Sequence, residues 1–158
     1  MLLVTDPQTW LVQHDPLRVV ALRDPVVEAT GHDPRSPYVE TFYLPLAGPS
    51  AVLAARRLAA WLEESPEGVT VPLGSFASEL GLGTGNGRNA PLPRVLARLV
   101  VFGLAGLQSD AYAVRLAFPP LARRHLRRLP PHLVLAHELI AEEGAAVERV
   151  VPTGALRE

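Results

Sequence analysis

The sequence predicts an α+β, mainly helical domain, and three observations carry that prediction. Residues 50–64 place apolar side chains at three- and four-residue steps, and a second such stripe follows a glycine-rich turn at 81–89. Two short extended runs then flank Ser109-Asp110-Ala111, the pattern of a hairpin. A chain of 158 residues is long enough to bury one substantial core. With 48% apolar and 20% charged residues, its composition is that of a globular protein and excludes wholesale disorder. There are no cysteines, so disulfides, thiolate metal sites and cysteine nucleophiles are ruled out.

Residues 1–37 read as a proline-rich, extended N-terminal arm. Asp-Pro recurs at 6-7, 15-16, 24-25 and 33-34, and each pair is expected to break helix before its proline. Between them the run Leu17 to Leu22 is β-branched enough to add a strand. The main domain spans 38–120. Pro49 suits a first helical turn, and Val52, Leu53, Leu58, Ala59, Trp61 and Leu62 mark one helix ending at Ser65-Pro66-Glu67-Gly68. Val69-Thr70-Val71 predicts a short strand, and Ser75 is read as the cap of a short helix stopping at Gly81. Asn89 is read as the cap of a second long helix, with Leu92, Val95, Leu96, Leu99 and Val100 inward. Leu104 to Gln108 and Tyr112 to Phe118 form the hairpin; residues 121–144 extend the chain as helix broken at Pro130 and Pro131, and 145–158 is a tail.

Helix, strand, short helix, turn, long helix and hairpin is the order of a winged helix-turn-helix, in which the third helix is the recognition helix and the hairpin the wing. Tyr43-Leu-Pro-Leu-Ala-Gly-Pro49 and the alanine- and leucine-rich helix after it resemble the opening of the N-terminal winged-helix domain of DnaD-type primosomal replication proteins. Gly31-His-Asp-Pro-Arg-Ser-Pro-Tyr-Val-Glu40 resembles a group of winged-helix proteins from high-GC Gram-positive bacteria. Together the two resemblances cover residues 31–120. They imply a bacterial winged helix, self-association and DNA-related work. The glycine-rich turn is longer than that family's pattern, and no second, C-terminal helical DNA-binding domain is expected from residues 121–158.

The formal charge of −1 conceals a strong asymmetry. Between Gly85 and His137 lie eight arginines against one acid, a net of +7, while residues 1–84 carry −5 and 138–158 carry −3. A basic centre between acidic flanks is the signature of a polyanion-binding face when its cations share a surface, although a solvated surface gives the same count. Arg94, Ala97, Arg98 and Val101 fall on the outward side of the predicted recognition helix, with Arg94 and Arg98 one turn apart and able either to reach phosphates and guanine edges or simply to be solvated. Arg88 and Asn89 stand at its start, where amides face a phosphate. Arg115 and Tyr112 belong to the wing, whose tip, Gln108-Ser109-Asp110, lacks a basic side chain. Arg123, Arg124 and Arg127 belong to the densest basic run, suited to phosphate gripping or to pairing with the acidic flanks.

No chemistry-bearing constellation emerges. The glycine-rich segment has no lysine and follows a helix, unlike a nucleotide loop. His132 and His137 are five apart and share no helical face, and no serine lies in a nucleophile context. The expectation is therefore a DNA-binding transcriptional regulator that acts by site occupancy, with no enzymatic activity, cofactor or metal. Double-stranded DNA is the expected partner, and a homodimer reading paired half-sites is expected with it. The alternative is a protein-interaction module docking on a polymerase or replication partner. MLLVTDPQTW has neither a basic leading region nor a continuous apolar run, so a cytoplasmic protein with no membrane association is expected.

Overall fold

A computed structural model describes residues 6–85 and 87–150, with the side chains of 144–150 outside the description. The chain divides between Pro120 and Leu121 into two compact units. In the first, helix α1 (Pro7–Gln13), strand β1 (Leu17–Leu22) and helix α2 (Pro25–Thr30) come first. A π-helical turn, Val39–Tyr43, runs into α3 (Leu44–Ala47), followed by α4 (Pro49–Glu64), β2 (Val69–Val71), α5 (Leu73–Glu79), α6 (Pro91–Val101), β3 (Ala105–Leu107) and β4 (Tyr112–Arg115). The second unit contains α7 (Arg123–Leu126) and α8 (Pro131–Val150). The fold is α+β with a four-stranded mixed sheet.

The sheet order is β2-β1-β4-β3. β3 and β4 form the expected antiparallel hairpin, Ala105 opposite Val114 and Leu107 opposite Tyr112, closed by the Gln108 amide donating to the Ala111 carbonyl at 2.8 Å. β1 lies at the centre of the sheet, antiparallel to β2 with Leu17 opposite Val71, and parallel to β4 with Val19 opposite Tyr112. Leu17 and Val19 are wholly buried, as are Leu58, Phe76, Leu96 and Phe118 of the same core. Alternate residues of β1 thus feed the core under the helices.

The expected extended arm is corrected by these elements. Two of its Asp-Pro pairs start helices: Asp6 caps α1 and Asp24 caps α2, each followed by proline in the first turn. An aspartate side chain satisfies first-turn amides, and proline costs nothing where no amide partner exists. The same dipeptide that breaks a helix before itself begins one after.

Two expected caps are also corrected. α5 starts at Leu73, two residues before Ser75, because the carboxylate of Asp15 accepts the Leu73 amide at 3.0 Å and supplies the cap from outside the segment. α6 is preceded by Ala90 in extended conformation, so Asn89 is not its cap. In the second unit Pro131 begins α8, which continues through Val150 where a tail was expected; the rest of that tail, 151–158, lies outside the described residues. Among the described residues no helix is long and apolar enough to cross a membrane.

Candidate nucleic-acid interface

α6 is built to be buried on one side and bare on the other. Pro91 occupies its first turn, and Leu92, Leu96 and Leu99 are sealed in the core. The hydroxyl of fully buried Tyr112 donates to the Leu96 carbonyl at 2.8 Å and fixes α6 to β4. Burial pushes the Tyr112 phenol well above its usual range, so it stays protonated as a donor. Tyr112 is therefore a core anchor and does not reach out from the hairpin. Gly103 ends the helix at φ 72°, a left-handed conformation that costs a glycine nothing.

The opposite side presents Pro91, Arg94, Arg98 and Val101, all exposed. At 100° per residue these four positions fall within about 80° of one another, a single stripe. Val101 is 79% exposed. The Arg94 guanidinium has no hydrogen bond or ion pair among the described residues. Arg98 donates from Nη2 to the Leu46 carbonyl at 3.3 Å, where a cation complements the C-terminal end of α3. The sequence has no acid between Glu79 and Asp110, so no carboxylate of α6 itself offsets the stripe.

The other arginines expected at this surface are held internally. Arg88 Nη2 pairs with Asp6 at 2.7 Å, its Nε donates to Thr9 Oγ1 at 3.3 Å, and its carbonyl accepts Gln8 Nε2 at 2.6 Å. This clamp ties the end of the glycine-rich segment to the first turn of α1. The Arg88 hydrogen bond leads the causes that hold the Asp6 carboxyl below its usual range, the amide of Thr9 also contributing. Exposed Asn89 accepts a long, 3.4 Å bond from Arg88 Nη1. Arg115, 21% exposed at its side chain, donates to Asp24 at 3.1 Å and from Nε to the Gly103 carbonyl at 2.8 Å. The hairpin turn, Gln108-Ser109-Asp110, is exposed.

In the second unit Arg123, Arg124 and Arg127 are exposed, as is Arg128. α7 covers only Arg123 to Leu126, so the basic run is one helical turn and its continuation instead of a long helical face. His125 is held below the usual histidine range, first by desolvation and then by the cations of Arg124 and Arg128.

A cavity of about 270 Å³ opens between α1, α5, the glycine-rich segment and the start of α6, lined by Val12, Asp15, Gly74, Thr84 and Pro93 among others. Its described lining carries the Asp15 carboxylate and no basic side chain, which does not suit a phosphate. The sequence reading placed Arg94, Arg98 and Val101 outward, where the structure has them, but it also placed Ala97 there, which is buried, and it missed the partners of Arg88 and Arg115. The signal for both lay in Asp6-Pro7 and Asp24-Pro25, since a helix-capping aspartate keeps its charge and can take a cation as well, Asp24 on its second oxygen and Asp6 on the same Oδ2 that caps α1. Compared with known protein families, curated proteins and solved structures, the chain has no match.

Proposed function

We propose that this protein binds double-stranded DNA as a winged helix-turn-helix, with α6 as the recognition helix, and acts as a transcriptional regulator by occupying its site. The observation that carries this reading is the α6 stripe: Arg94 and Arg98 point outward from a helix whose other face is sealed, with no acid beside them in sequence. The order α4, β2, α5, α6 and the β3–β4 hairpin supports it, as does the resemblance to DnaD-type winged helices. Arg94 and Arg98 make the groove contacts, while Arg123, Arg124 and Arg127 supply sequence-independent phosphate contacts. Arg88 and Arg115 have structural duties and are set aside from the interface, whereas Asn89 is exposed at the start of α6. Two copies on paired half-sites enlarge the small footprint of one module.

The test is titration of the full chain against labelled duplex DNA at about 50 and about 200 mM salt, where release of counterions makes affinity fall steeply. Absence of binding at the lower salt overturns the reading. A protein-docking module then takes its place, favoured by the exposed wing tip that bears Asp110 and no cation.

A further inference from the structure

We infer that α8 is the surface on which two copies of this chain associate, packed antiparallel over Leu135, Leu139 and Ile140; this deepens the two-copy part of the DNA-binding reading and rests on that reading for its purpose. Leu135, Leu139 and Ile140 are 58%, 51% and 49% exposed and follow one another closely on one helix. The other large apolar residues exposed among the described residues, Val12, Val26, Leu53 and Val101, stand singly on four different helices. At 100° per residue the three on α8 span an arc of about 140°, with Ala136 inside it. An apolar arc of that width is what a helix of a globular protein buries, and α8 carries it exposed. With 20 residues, α8 is about 30 Å long, enough to form a helix pair.

Charge selects the occupant. Residues 121–137 hold four arginines and no acid, whereas 138–148 hold four glutamates and no base. Exposed Arg123, Arg124, Arg127 and Arg128, and exposed Glu138, Glu142 and Glu143, form no ion pair among the described residues. Glu138 and Glu142, one turn apart beside Leu135, instead repel each other. A partner of a single sign is attracted to one end of this unit and repelled by the other. A second copy laid antiparallel sets each basic end against the other copy's acidic half, while a parallel copy sets like against like. The antiparallel pair is also self-complementary, as a two-fold interface requires. Arg128, which the DNA reading leaves unassigned, is the arginine nearest α8 in sequence, so this attraction does not draw on the phosphate contacts.

The experiment is sedimentation of the full chain in the absence of DNA. The mass of two chains is expected, and a chain still monomeric at roughly 100 μM overturns the inference. Leu135→Gln combined with Leu139→Gln, both at exposed positions, is expected to weaken the dimer about a hundred-fold. Orientation is read separately by cross-linking, since the chain has no cysteine of its own. An Arg128→Cys chain and a Glu142→Cys chain, mixed and treated with a flexible bismaleimide, are expected to join to each other in preference to their own kind. A dimer that persists in the double glutamine variant, or cross-links that join like with like, overturns the inference. A dimer that binds no duplex removes the DNA reading and leaves this interface standing. A chain that binds duplex only as a monomer does the reverse.

Discussion

Asp24 and Arg115 meet at 3.1 Å, joining the start of α2 to the end of β4, and each makes a second bond that the pairing holds in place. Asp24 Oδ2 takes the guanidinium, while Oδ1 accepts the amides of Val26 and Val27 at 3.2 and 3.3 Å. Arg115 turns its Nε to the Gly103 carbonyl. One pair thus links the cap of α2, the edge of the hairpin and the turn that ends α6.

Stability is expected to fall in acid through this pair. The Val27 amide first, and Arg115 next, hold the Asp24 carboxyl below its ordinary value of 3.8. The depressed group stabilises the fold fully above pH 3.8, and that contribution is lost as pH falls through the lower folded value. Asp24→Asn should therefore lower Tm at neutral pH by a few degrees and flatten the acid limb below about pH 4. Thermal melts across pH check this, and an acid limb identical to that of the parent chain contradicts it.

The arginines separate into two classes in binding. Arg94→Ala and Arg98→Ala should each reduce the slope of log affinity against log salt by about 0.9 if the lost contact is to phosphate. Arg115→Ala should leave that slope unchanged and lower Tm, because its guanidinium is spent on Asp24 and Gly103. Parallel titrations and melts of the three variants resolve the classes. Equal affinities for Arg94→Ala and the parent chain at both salt concentrations remove Arg94 from the interface.

Tyr112→Phe removes only the hydroxyl that donates to Leu96, in a site with no access to water. The expected cost is about 1 to 2 kcal/mol. Denaturant unfolding should show a lower midpoint at an unchanged m value, since the surface exposed on unfolding is the same. A change in m signals that the variant loosens the α6–β4 junction.

What was legible in the sequence was whatever depended on local periodicity. The leucine and valine spacing of α6 gave the inward residues Leu92, Leu96 and Leu99 and the outward Arg94 and Arg98. The hairpin followed from two short extended runs around Ser109-Asp110-Ala111. Pairing between distant segments left no periodic trace: Asp15 capping α5 across 58 residues, or Asp6 holding Arg88 across 82, follows only from the assembled fold. Position within the sheet was hidden for the same reason. LRVVAL read as a strand, but nothing in six residues states that it lies between two others.

That central place makes β1 indispensable to the sheet. It hydrogen-bonds to β2 on one side and β4 on the other, and its Leu17 and Val19 have no exposed surface. Deleting residues 1–22 leaves β2 and the inner side of β4 with unpaired backbone groups and opens the core beneath them. The shortened chain is expected to lose cooperative thermal unfolding. Val19→Pro, which removes one ladder donor from a central strand, should lower Tm sharply without altering length. Circular dichroism melts and amide exchange of β4 measure both. If the shortened chain melts cooperatively and its β4 amides remain protected, β2 closes onto β4 directly and β1 is an addition to the sheet instead of its middle.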